Sequence, residues 1–244
     1  MTVTWEELGW ERLAQGVGRC RLPGWDCTAG LVVGDGTALV IDSGSSLAEG
    51  ALLRTRAQAL AGHRVTHLAL THPHFDHVFG AAAFAGAEVL GVVGLDVMSV
   101  HAREELRADA VRNGLDERAA TEAADTLVAP RHQVSGEWTL DLGDGRQVLL
   151  ANVGPGHTAH DLAVLVPALP DSPAVVFCGD LVEESGEPQA GPDAVPSHWP
   201  AALDRLLDLG GEDALYVPGH GAVVDAGFVR GQRDELAARF GVSP

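Results

Sequence analysis

Within six consecutive positions the chain sets out His72, His74, Asp76 and His77, four side chains able to bind a metal. This stretch limits the possible folds more than any other, because a metal site needs further donors from distant parts of the chain. Residues 65–70 just before it mix β-branched and aliphatic side chains and read as a short strand, so the motif occupies the loop where that strand ends. On extended backbone alternate side chains point the same way. His72 and His74 then sit roughly 6.6 Å apart along the chain, a spacing from which two imidazoles converge on one ion. The chain then bends toward a helix expected over residues 78–84, which sends Asp76 and His77 in other directions, toward a second, neighbouring ion.

The rest of the chain alternates strand and helix signals. Two apolar runs, residues 30–33 and 37–41, flank Gly34-Asp35-Gly36 as a hairpin. Ser46 followed by Glu49 forms a capping box for a helix reaching about Gly62. Residues 88–93 read as a strand. Residues 95–128, rich in Ala, Arg and Glu, read as an inserted helical flap expected to overhang the site. A second hairpin, residues 138–142 and 146–153, turns at Gly143-Asp144-Gly145. Strands follow at 162–166, 174–178 and 215–217, with a helix capped by Ser197 and a closing helix over 228–240. Without a linker or an internal repeat, residues 1–244 read as one domain carrying that insertion.

Three more candidate ligands, His157, Asp180 and His220, each stand just past an apolar run, among Gly156, Gly179, Gly219 and Gly221. Glycine there permits sharp turns and close backbone approach. Asp42, at another strand end, is a candidate to orient a ligand histidine, although an ordinary turn aspartate fits as well. His198 and Trp199 are candidates to face a substrate.

Taken together, the 71–77 motif, Pro155-Gly156-His157-Thr158, Gly179-Asp180 and Pro218-Gly219-His220-Gly221 resemble the metallo-β-lactamase-fold hydrolases. The resemblance implies an α/β fold, a four-layer αββα sandwich of two mixed sheets with a two-metal site at one edge. It implies that His72, His74 and His157 hold a first ion, that Asp76, His77 and His220 hold a second, and that Asp180 bridges them. Two zinc ions are the default for such a donor set, with iron or manganese as alternatives. The expected reaction is hydrolysis of a small ester, thioester, lactone or amide by a hydroxide shared between the metals, with Asp76 as the catalytic carboxylate that orients it and handles the proton. The rival expectations are an iron oxidoreductase resembling the persulfide dioxygenases and a phosphodiesterase. Departures from named branches narrow the choice: Glu183 stands where quorum-signal lactonases carry a tyrosine, and the chain has no lysine of the kind many β-lactamases use for the drug carboxylate.

Composition bears on partners. Sixteen basic residues, all arginine, oppose 34 acidic ones for a net charge of −18, so a small molecule is the expected substrate and a nucleic-acid partner is not. The expected compartment is a reducing cytoplasm, since Cys20, Cys27 and Cys178 show no disulfide or metal spacing. No membrane association is expected, because the most apolar stretch, 81–100, is broken by Glu88 and Asp96.

Overall fold

A computed structural model describes residues 4–95 and 103–242. Strands β1 (Glu11–Ala14), β2 (Val17–Arg21), β3 (Thr28–Val33), β4 (Ala38–Ile41), β5 (His67–Ala69), β6 (Glu88–Val92) and β7 (His132–Val134) form one sheet in that order. Its first four strands are antiparallel, and β4 to β7 run parallel. The second sheet has the order β12-β11-β10-β9-β8, from β8 (Glu137–Asp141), β9 (Gln147–Asn152), β10 (Leu162–Val166), β11 (Val175–Glu183) and β12 (Leu215–His220). In that sheet β11 and β12 are parallel and the other neighbours antiparallel. Helices α1 (Leu47–Ala61), α2 (Phe75–Val78), α3 (Arg103–Arg112), α4 (Glu117–Asp125), α5 (Trp199–Gly210) and α6 (Ala226–Phe240) complete the described chain.

The layering follows from the pleat. In β4 all four residues are buried, with Leu39 and Ile41 facing the other sheet and Ala38 and Val40 facing the helices. Val164 and Phe177 meet that inner face from the five-stranded sheet. Leu53 and Ala57 of α1 cover the outside of the first sheet, and Leu203 and Leu206 of α5 cover the outside of the second. The result is the expected αββα sandwich. Among the described residues, no helix is long and apolar enough to cross a membrane.

Several local expectations are corrected. The helix expected over residues 78–84 begins earlier, as α2 at Phe75, followed by a 3-10 turn at Ala81–Phe84; Asp76 and His77 are therefore helical. Ser46 caps α1 as expected, accepting from the Glu49 amide, but Glu49 reaches back to the amide and hydroxyl of Ser45 rather than to Ser46. Ser197 caps nothing: its hydroxyl pairs with the His198 ring, and α5 starts at Trp199. The expected 95–128 insertion is helical where it is described. Residues 96–102 lie outside those described, while Leu106 and Ala110 of α3 and Ala120, Ala123 and Ala124 of α4 are buried in the same core as α1. Strands β1, β2 and β7 had no counterpart in the sequence reading.

Candidate metal centre

Each donor reaches the sheet edge by its own route. His72 and His74 lie in the loop after β5, and Asp76 and His77 on the single turn of α2, which Phe75 anchors edge-on to Trp25 with ring centres 5.3 Å apart. His157 follows β9. The expectation that Asp180 lies beyond its strand is corrected, because β11 continues to Glu183. The β11–β12 register shifts on both sides of Gly179, whose φ of 54° is left-handed. This irregularity turns the Asp180 side chain into the cluster. His220 is the last residue of β12 and pairs with Cys27, just before β3.

All seven sequence-named donors converge. Oδ2 of Asp180 lies 3.5 Å from Nε2 of His72 and of His157, and 3.3 Å from Nε2 of His220. Its Oδ1 lies 3.2 Å from His77 Nε2. His74 Nδ1 is 3.0 Å from His157 Nε2. On the other side Asp76 Oδ2 is 3.3 Å from His220 Nε2 and 3.6 Å from His77 Nε2. His72, His74, His157 and Asp180 present donor atoms within 4.8 Å of one another, and so do His77, Asp180 and His220. Asp76 joins the second group through its approach to His77 and His220, and Cys27 lies as close to Asp76 and His77.

Outer contacts fix the rings. Asp42, one of two candidate roles in the sequence, is the orienting carboxylate: Oδ2 lies 2.9 Å from His77 Nδ1 and accepts the Thr71 hydroxyl at 2.8 Å, while Oδ1 accepts the Thr71 amide. With its own proton committed to Asp42, the Thr71 hydroxyl accepts from His72 Nδ1 at 3.0 Å. One buried carboxylate therefore orients two imidazoles, one in each group. His220 Nδ1 donates to the Trp25 carbonyl at 2.7 Å. Sequence reasoning missed Thr71, Trp25, Asp193 and Cys27. Of these only Thr71, inside the motif, carried a local signal. The Cys27 thiol donates to the Asp76 carbonyl at 3.1 Å and lies 3.8 Å from His77 Nε2; burial raises its pKa to about 11 and keeps it a thiol.

Buried atoms at the centre test whether a metal fits. His72 Nε2 and Asp180 Oδ1 are buried without a hydrogen-bond partner, an arrangement that is costly unless a cation takes their lone pairs. Burial and the neighbouring His77 push the His72 pKa down to about 4, so its imidazole is neutral and ready to ligate at pH 7. Burial opposes protonation of His220, yet Asp180 and Asp76 raise its pKa to about 12. A cation of matching charge would take that proton's place between the carboxylates, so binding releases protons.

A cavity of about 600 Å3 opens beside His74. It is walled by Pro73 and His74, by α3 from Glu104 to Arg112, and by Gly191, Pro192 and Asp193. Of the expected insertion, α3 lines this cavity. Trp199 does not face substrate: it is fully buried, its indole donates to the Leu181 carbonyl, and its ring meets His157 edge-on at 5.3 Å.

Asp161 closes the loop that carries His157, accepting the Thr158 amide and hydroxyl. Burial raises its pKa to about 7, against about 3.9 for an unfolded Asp. The native state then binds more protons than the unfolded chain between about pH 4 and about pH 7, so stability falls as pH rises through that window. Asp161→Asn is expected to flatten this fall. Urea unfolding of metal-free protein at about pH 5 and about pH 7.5 measures it, and an equal pH dependence in variant and wild type would refute the assignment.

With the geometry established, comparison with known proteins gives the family. The sequence profile of the Metallo-beta-lactamase superfamily matches residues 22–220. The chain belongs to that superfamily, whose fold is carried mostly by metal-dependent hydrolases. It is 28% identical over 201 residues to metallo-beta-lactamase domain-containing protein 1 of Xenopus laevis, covering 80% of this chain and 71% of that protein. It is 27% identical over 168 residues to metallo-beta-lactamase type 2 of Bacillus cereus, covering 68% of this chain and 56% of that protein's length. Among solved structures, a metallo-beta-lactamase from Pontibacter korlensis superposes with a TM-score of 0.70 at 21% identity, over 93% of this chain and 97% of the other.

Proposed function

We propose that this chain is a dinuclear zinc hydrolase acting on a small ester, thioester, lactone or amide. The observation that carries the reading is the pair of orphaned inward atoms, His72 Nε2 and Asp180 Oδ1, at the meeting point of seven donors. In this reading His72, His74 and His157 would hold one ion and Asp76, His77 and His220 the other, with Asp180 contributing to both. When bound, such a pair supplies Lewis acidity and a water made acidic enough to attack near neutral pH.

The chain's own residues do the rest. His77 and the hydrogen bond to His220 keep the Asp76 carboxyl well below the usual range despite its burial, so it is an anion at neutral pH. An ionised Asp76 can orient the attacking water through an accepted hydrogen bond and take up its proton. Asp42 and Thr71 keep His72 and His77 from turning as charge develops. The cavity beside His74 admits an organic molecule of modest size, and its walls displace water from the reacting group. Cys20, Cys27 and Cys178 are free and buried, which suits a reducing compartment.

The test is metal analysis of stripped and reloaded protein, with turnover measured on esters, thioesters, lactones, β-lactams and phosphodiesters. Two equivalents of zinc restoring hydrolysis is the expected result. A single iron with oxygen-dependent turnover would replace this reading with an oxidoreductase.

A further inference from the structure

His74 differs from the other imidazoles in how it faces the cluster. His72, His77, His157 and His220 all turn Nε2 toward Asp180. His74 instead turns Nδ1 inward, 3.0 Å from His157 Nε2, and its Nε2 points out into the cavity. There it meets Asp193 Oδ2 at 3.0 Å. A carboxylate oxygen only accepts, so Nε2 of His74 carries a proton, and Nδ1 is the nitrogen left to face a cation at the centre.

The loop that brings Asp193 is itself fastened. The Val195 amide donates to the Gly156 carbonyl at 2.9 Å, next to His157, and the Ala194 amide donates to the Gly191 carbonyl at 3.2 Å. The loop carrying Asp193 is thereby tied to the residue that precedes a second candidate ligand, His157. The need for such a tie is physical: histidine χ2 is a broad, roughly two-fold torsion, and a half-turn of the ring would replace Nδ1 by a carbon. His74 is also the more open of the three rings in its group, with its side chain 25% exposed against 1% for His72 and 5% for His157. Packing alone does not hold it.

The geometry points to Asp193 as a positioning residue that locks the ring and tautomer of His74 so that Nδ1 faces the metal. The inference rests on the metal-centre reading given under Proposed function. It adds a residue from a loop in which no sequence motif marked a site.

The experiment compares wild type, Asp193→Ala and Asp193→Asn by zinc titration against a chromophoric chelator, and by long-range nitrogen–proton NMR of the metal-free proteins. Asp193→Ala is expected to weaken one zinc equivalent by about 10–100-fold and to mix the two His74 tautomers. Asp193→Asn keeps an oxygen able to accept the same hydrogen bond, so it is expected to restore the single tautomer and most of the affinity. An Asp193→Ala protein with wild-type zinc affinity and an unchanged His74 nitrogen spectrum overturns the inference, and so does an Asn variant as impaired as the Ala variant. Wild-type protein that refuses zinc altogether overturns the metal reading instead, and the nitrogen spectrum still decides what Asp193 does.

Discussion

Asp76→Asn is expected to lower hydrolysis by about 10²–10⁴-fold, the usual effect of losing a positioned proton acceptor. The substitution preserves shape: the amide oxygen can still approach His220 and His77, which lie 3.3 and 3.6 Å from the present carboxylate oxygen. It removes the negative charge and with it the ability to take a proton from the attacking water. Metal content is therefore expected to fall less than the rate does. Zinc analysis and turnover on the same preparation separate the two, and a variant that keeps its zinc and hydrolyses at the wild-type rate would remove Asp76 from the chemistry.

Gly219→Ala is expected to be nearly as damaging without changing any donor. A methyl group there would overlap Asp180 Oδ1 and press on the backbone carbonyl carbon of Gly179 at 2.9 Å. The carboxylate would have to leave the point where both histidine groups meet it. Loss of zinc and of turnover comparable to that of Asp180→Ala is the expected result, with stability lowered by about 1–3 kcal/mol for the crowding. Gly231→Ala is the control, since its added methyl on α6 meets nothing within 4 Å. A Gly219→Ala protein with full zinc and normal turnover would show that Asp180 does not need its present place.

These two residues also show what a sequence makes legible. Asp76 is readable because its neighbours at fixed spacing are ligand types, and Gly219 because it adjoins His220 in a Pro-Gly-His-Gly run. Individual strands are readable for a similar reason, since β4, β10 and the start of β11 are short apolar runs between turn residues; their stacking into a sandwich is legible only through the family resemblance of the ligand motifs. Asp193 was not, because its role depends on a loop folding back onto Gly156. Cys27 faces Asp76 and His77 only through the pairing of its backbone with His220. The edge strands β1 and β8 are largely exposed and polar, and β1 escaped notice because its conformation comes from pairing with β2 rather than from its own pattern. Ser197 failed as a cap because its hydroxyl found the adjacent imidazole first.

Asp42 has a consequence for how the centre fills. The same carboxylate steadies His77 directly and His72 through Thr71, so neither half of the centre can be retuned in isolation. In the proposed two-ion reading, a cation that ordered one ring would order the ring across from it through this shared anchor. Zinc titration is then expected to show one joint step, and two well-separated steps would count against the coupling.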